Sequence, residues 1–221
     1  MVCSVYAFDA YGTLYDVHAA VARYRDEIGP QAQALSDLWR VKQLEYTWIR
    51  TMTGVYRDFR VLTAEALDFA AARFGGISPA TREKLLAAYE RLDAYSDVKP
   101  TLKALKANGI RTAILSNGTP AMLAAAADAA GLADLLDATL SVDPLRFFKA
   151  RREVYELVTD HFGVKPQDVS FQSSNRWDVA AGAHFGFRAV WINRTGAPSE
   201  YDDMAPAYTL PSLEPLAALG G

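Results

Sequence analysis

The 221-residue sequence predicts an α/β fold, a doubly wound parallel sheet interrupted by an inserted helical cap subdomain. Two observations carry that prediction. In the second half, short runs rich in β-branched and aromatic residues alternate with helical stretches that stop at glycine, the rhythm of a parallel sheet covered on both faces. In the first half, one apolar run is followed by residues 16–96, which contain no convincing strand and several helical stretches.

The apolar run Val2–Phe8 is the first strand, and it ends at Asp9. Four further strands are predicted at Ile110–Leu115, Ala138–Val142, Val169–Gln172 and Arg188–Ile192. Helices are predicted at Thr101–Asn108, Ala121–Ala130, Arg152–Phe162 and Asp178–Phe185, each followed by a glycine that suits a left-handed helix stop. Between Asp16 and Asp97, Gln31–Met52 carries Leu38, Val41, Leu44 or Glu45, Trp48 and Met52 in helical register, with more helix near Thr63–Phe74 and Pro79–Tyr95. A final strand and short helix complete the chain. The expected division is a core of residues 1–15 and 97–221 and a cap of residues 16–96. Inserted just after Asp9, the cap is placed to close over the open edge of the sheet and exclude water.

Composition narrows the function. A net charge of −3 gives no basic footprint for nucleic acid. No apolar run approaches the roughly 18 residues of a membrane span. One cysteine, Cys3, permits no internal disulfide and suits a reducing compartment. The N-terminus lacks a basic segment before an apolar one, so a cytoplasmic protein is expected.

Chemistry-bearing residues cluster where strands are predicted to end: Asp9 to Thr13; Ser116-Asn117-Gly118; Lys149; and SSNRWD, Ser173 to Asp178. In a parallel sheet, ligands bind outside the carboxyl ends of the strands, so all four converge on one crevice. Each alone reads equally as a turn; together, and in order, they read as a site. His18, His161 and His184 lie outside the clusters, and no two have metal-ligand spacing.

These motifs resemble the haloacid dehalogenase superfamily. The similarity is carried by DxYGTL after strand one, LSNG after strand two, a lone lysine after strand three and SSNxWD after strand four. The stretch LWRVKQLEYTWIR is similar to the (S)-2-haloacid dehalogenases in particular. Phosphatase relatives have a second Asp where Tyr11 stands and a Gly-Asp pair where Ser173-Ser174 stands. The expectation is therefore a cofactor-free, metal-free hydrolase acting on a small haloacid, with a homodimer as one assembly the sequence leaves open.

The resemblance implies a role for each residue. Asp9 is the nucleophile, attacking C2 of the substrate to form an ester, and Lys149 keeps it ionised. Asp178 orients or activates the hydrolytic water, although it also reads as a helix N-cap. Thr13 and Ser173 orient Asp9 or its neighbours. Arg40, Asn175 and Trp177 face the halide, with Phe59 as an apolar wall; Arg40 also reads as a surface partner of Glu45 or Asp37, and Trp177 as core. Ser116 and Asn117 take the substrate carboxylate, helped by the backbone of Ala10 and Tyr11. Tyr155 supports the lysine or the substrate, or is plain core.

The chain departs from the family at Lys149-Ala150-Arg151-Arg152, where relatives continue Lys-Pro-x-Pro, and at Val41, where relatives often have Gln. Three other functions stay open on sequence alone: a hydrolase opening azetidine-2-carboxylate through the same ester, a Mg²⁺-dependent phosphatase, and a catalytically silent binding protein.

Overall fold

The computed structural model describes residues 3–219. Among these, six strands form one parallel sheet: β1 (Val5–Phe8), β2 (Arg111–Ser116), β3 (Ala138–Ser141), β4 (Val169–Ser173), β5 (Arg188–Ile192) and β6 (Tyr208–Leu210). Their order is β3-β2-β1-β4-β5-β6. Strand β1 is central, with Phe8 opposite Ile114 on one side and Gln172 on the other. All four β1 residues are buried, as expected of a strand covered on both faces. The order reverses direction beside β1, and crevices at such switch points are where α/β sheets bind ligands.

The strand expected from Val2 begins at Val5; Val2 itself lies outside the described residues. Five helices of the segment inserted after β1 come next: α1 (Ala19–Arg23), α2 (Arg25–Ile28), α3 (Ala32–Thr53), α4 (Phe59–Arg73) and α5 (Pro79–Tyr89), the residues expected to form the cap. The core helices are α6 (Val98–Ala107), α7 (Pro120–Ala130), α8 (Arg152–Phe162), α9 (Arg176–Phe185) and α10 (Leu216–Leu219). Helix α6 starts three residues before its expected Thr101, because Pro100 fits a first helical turn without a hydrogen-bond penalty. Helix α4 starts earlier too, capped by the Asp58 carboxylate, which accepts from Val61 N at 2.9 Å.

The helix expected to run to Tyr95 stops at Tyr89. Residues 90–97 instead return to the core beside the outgoing linker. Asp16 N donates to Asp93 O at 2.9 Å and Tyr95 N to Leu14 O at 3.0 Å. The two crossings between cap and core are thus zipped together.

Helix α3 inverts an expectation. Its buried residues include Leu35, Trp39, Gln43 and Thr47, whereas Val41, Trp48, Ile49 and Met52 are exposed, Met52 by 74%. The inner face is partly polar because its polar groups are matched: Gln43 Nε2 donates to Thr63 Oγ1 at 2.6 Å and Trp39 Nε1 to Thr63 O at 2.8 Å. Hydropathy alone therefore points to the wrong face. Among the described residues, no helix is long and apolar enough to cross a membrane.

Candidate active site

Asp9 follows β1 directly, its N–H donating to Gln172 O at 2.9 Å, so its side chain emerges at the switch point. The chain then turns sharply. The Ala10 carbonyl accepts from the N–H groups of Thr13, Leu14 and Tyr15, and Gly12 takes a φ of +92°, which costs glycine little. The turn brings Thr13 back over Asp9, where Oγ1 donates to Asp9 Oδ2 at 3.0 Å and accepts from Ser174 N at 2.8 Å.

Lys149 is 1% exposed, and its ammonium stands between two carboxylates. Nζ lies 2.9 Å from Asp9 Oδ1 and 2.8 Å from Asp178 Oδ2. The Asn117 side-chain oxygen fixes the backbone there, accepting from Lys149 N at 3.0 Å. Burial works against the charged ammonium, but the charges and hydrogen bonds of Asp178 and Asp9 outweigh it and hold the Lys149 pKa above its usual 10.5. Burial raises the Asp178 pKa, with the Asp9 charge adding to it and Lys149 opposing.

Helix α9 begins two residues before its expected Asp178, so that Asp178 lies inside the first turn and Asn175 is the N-cap residue. The Asp178 carboxylate does not cap the helix. It accepts from Lys149 and, through Oδ1, from the Tyr155 hydroxyl at 2.8 Å. Tyr155 therefore supports the second carboxylate. Its ring packs among Phe171, Phe185 and Phe187.

Asn175 joins the two halves of the site. Its Nδ2 donates to Asp9 Oδ2 at 2.8 Å, and its Oδ1 accepts from Arg40 Nη2 at 3.2 Å. Ser173 Oγ accepts from Asn175 N at 3.1 Å, so Ser173 orients this neighbour and not Asp9 itself. Arg40, reaching in from α3, also donates to Tyr11 O at 2.9 Å and to Gln43 Oε1 at 2.9 Å. All three acceptors are neutral. Glu45, one alternative partner, pairs with Lys42 at 2.8 Å.

Asp9, Tyr11, Arg40, Phe59, Ser116, Asn117, Asn175 and Trp177 all line one cavity of about 10 Å³, together with Leu44. That is room for about one water molecule. Trp177 is half-buried, its ring 5.6 Å from that of Trp48 on α3. Phe59 and Tyr89 flank the Tyr11 ring, Tyr89 stacked at 5.5 Å with its hydroxyl on Gln43. Burial pushes the Tyr11 hydroxyl well above its usual pKa. Among the described residues, no group of three His, Cys, Asp or Glu side chains is arranged to hold a metal.

Residues 3–186 match the family of haloacid dehalogenase-like hydrolases. The chain is 47% identical over 213 residues to (S)-2-haloacid dehalogenase 1 of Pseudomonas sp. (strain CBS-3), covering 96% of this chain and 94% of that one. The chain belongs to the (S)-2-haloacid dehalogenase family. Its fold is similar to that of a dehalogenase crystallised with an intermediate complex, at a TM-score of 0.96 and 44% identity over 99% of this chain and 97% of that one. It is also similar to the L-2-haloacid dehalogenase of Xanthobacter autotrophicus with chloropropionic acid covalently bound, at a TM-score of 0.86 and 33% identity over 99% and 98% of the two chains.

Within this family member, Gln43, Leu44 and Tyr89 are site residues that the sequence reading missed. The first two were within reach: they lie three and four residues beyond Arg40, on the same helix face. Tyr89 carries no motif; only the packing of α5 against α3 brings it in.

Proposed function

We propose that this chain hydrolyses short (S)-2-haloalkanoic acids to (R)-2-hydroxy acids, with inversion at C2 and without a metal ion. One observation carries the reading: a buried ammonium bridges two carboxylates beside a guanidinium that meets only neutral oxygens. The ammonium places a positive charge 2.9 Å from the Asp9 carboxylate. The guanidinium is left with positive charge for an incoming anion.

In the first step an Asp9 oxygen attacks C2 from the face opposite the halogen. A C–O bond forms, the C–X bond breaks, and halide leaves with the electron pair towards Arg40, Asn175 and Trp177. Hydrogen bonding from Arg40 strengthens as charge develops on the halogen, so it favours the transition state over bound substrate. Phe59 and Leu44 form the apolar wall. Ser116, Asn117 and the backbone after Asp9 hold the substrate carboxylate; the Asn117 oxygen is already engaged, so its NH₂ is the end that donates.

In the second step, water adds to the Asp9 carbonyl carbon, the ester C–O bond to that carbon breaks with the electron pair on the departing oxygen, and this oxygen takes the proton of the added hydroxyl, so that the 2-hydroxy acid leaves and Asp9 returns as a carboxylate. Asp178 takes the water's proton, consistent with its raised pKa. Lys149, Thr13 and Asn175 hold the Asp9 oxygens throughout, as preorganised donors do.

The test uses chelator-treated protein with chloroacetate, fluoroacetate and each enantiomer of 2-chloropropionate. Halide release from the (S) enantiomer alone, giving (R)-lactate, is expected, and single turnover in ¹⁸O-water labels Asp9. Asp9→Asn abolishes turnover. No halide from any substrate, with Mg²⁺-dependent phosphate release from an aryl phosphate, overturns the reading.

The exposed apolar residues of α3 support a second proposal, that this chain forms a homodimer through that face of the cap. A cytoplasmic location completes it.

A further inference from the structure

A cavity of about 380 Å³ lies directly behind the halide wall. Arg40, Asn175 and Trp177 line both it and the reaction cavity. Its other charged or titratable lining groups are His18, Tyr95, Arg176, Arg194 and Glu200.

Arg176 is unexplained by the chemistry above. It is the variable residue of the SSNxWD motif, and it is 5% exposed. Nη2 donates to Tyr201 O at 2.8 Å and Met204 O at 3.2 Å. Its Nε and Nη1 are buried with no hydrogen-bond partner, as is Nε of Arg194. Among the described residues, Arg176 has no carboxylate partner, whereas Arg194 pairs with Asp97 at 2.8 Å. A guanidinium is always charged, and buried N–H groups left unpaired are costly. The Trp191 and Tyr201 rings, 5.9 and 5.7 Å away, attract the cation but offer no acceptor in its plane.

We propose that this cavity is a second anion site for a small inorganic monoanion, with Arg176 as its principal cation and halide as its occupant. The site itself rests only on these contacts; that its halide comes from the reaction rests on the function proposed above. A halide left beside the fresh ester, in a cavity the size of a water, can attack C2 again and regenerate substrate. Passage past Arg40 into the second cavity separates the two products. No bond forms or breaks in that transfer; the ion exchanges one set of N–H donors for another.

The test is ³⁵Cl NMR line broadening during a chloride titration, repeated with bromide as competitor. Two binding phases are expected for the wild type. Arg176→Gln removes one phase. Glu200→Gln, an exposed change that spares the fold, tightens that same phase by about two- to fivefold by removing one opposing charge. A single phase, or a second phase insensitive to Glu200→Gln, overturns the site whether or not Arg176→Gln folds. Two further arms separate the sources of halide. Bromide sufficient to fill the second site slows turnover of (S)-2-chloropropionate if released chloride passes through it; unchanged turnover overturns the exit role. Two phases without any halide release remove the catalytic reading and leave the anion site standing.

Discussion

The Lys149 ammonium lies 2.9 Å from Asp9 and 2.8 Å from Asp178, so a single cation is shared by two buried acids, one just after β1 and one in the first turn of α9. Removing it leaves two like charges facing each other without compensation. Lys149→Met is therefore expected to lower kcat/KM by about 10²-fold or more, the cost of losing a preorganised charge. It is also expected to destabilise the fold by about 3–5 kcal/mol, as breaking a buried pair does. Halide release and urea unfolding of the same variant measure both. An active, stable Lys149→Met would mean the ammonium is a bystander.

The pH dependence follows from the same group. The folded pKa of Lys149 is raised, so its contribution to stability is complete below the unfolded value of 10.5 and is lost as pH rises through the higher folded value. Buried Tyr11 and Tyr155, whose pKa values burial pushes well above 10.0, act in the same direction, since unfolding lets them ionise. Stability is thus expected to fall steeply above about pH 10. Asp178 has the opposite sense among acids. With its pKa raised above 3.8, it makes folding less favourable as pH rises from there through its folded value. The acid limb of kcat/KM is accordingly expected above pH 3.8, and no alkaline limb from Lys149 below 10.5. Urea titrations and a pH–rate profile between them test each limb.

The fold was legible in the sequence because strand and helix alternate with distinct periods and glycine marks the stops. The residues after the strands were legible because topology alone brings strand ends together, which is how Asp9, Asn117, Lys149 and Asn175 come into mutual contact. What was not legible depended on pairing between distant side chains. Tyr155 goes to Asp178, a choice set by how α8 packs beside α9. Gln43 and Thr47 are buried because Thr63 and the helix backbone match them, and no hydropathy pattern reports such a match. Leu44 lines the reaction cavity, but the helical register of α3 does not by itself say which of its faces turns inward.

The exposed face of α3 makes its own prediction. Val41, Trp48, Ile49 and Met52 are exposed on α3, beside Val55 and with Phe69 exposed on α4. Monomers rarely leave a large contiguous apolar patch in water. The proposed homodimer through this surface is expected to run at twice the chain mass in light scattering, and Met52→Glu to shift it to the monomer by placing a charge in the contact. A wild-type monomer at micromolar concentration would remove the proposal.

Buried Asp97 and partly buried Arg194 form a second ion pair, away from the chemistry but tied to it. Arg194 Nη1 lies 2.8 Å from Asp97 Oδ2, and its Nη2 donates to Thr13 O at 3.0 Å. Asp97 also accepts from Leu213 N at 2.8 Å. The pair thus fastens the point where the cap chain re-enters the core to the turn that carries Thr13, whose hydroxyl holds Asp9. Asp97→Ala leaves the partly buried guanidinium without its counter-charge and is expected to cost about 3–5 kcal/mol. Arg194→Lys keeps the charge but loses the forked geometry. Its expected signature is a fall in kcat with KM nearly unchanged, because Thr13 drifts from Asp9 while the substrate contacts stay. Equal losses in stability and kcat across both variants, with no separate effect of the lysine, would assign the pair to the fold alone.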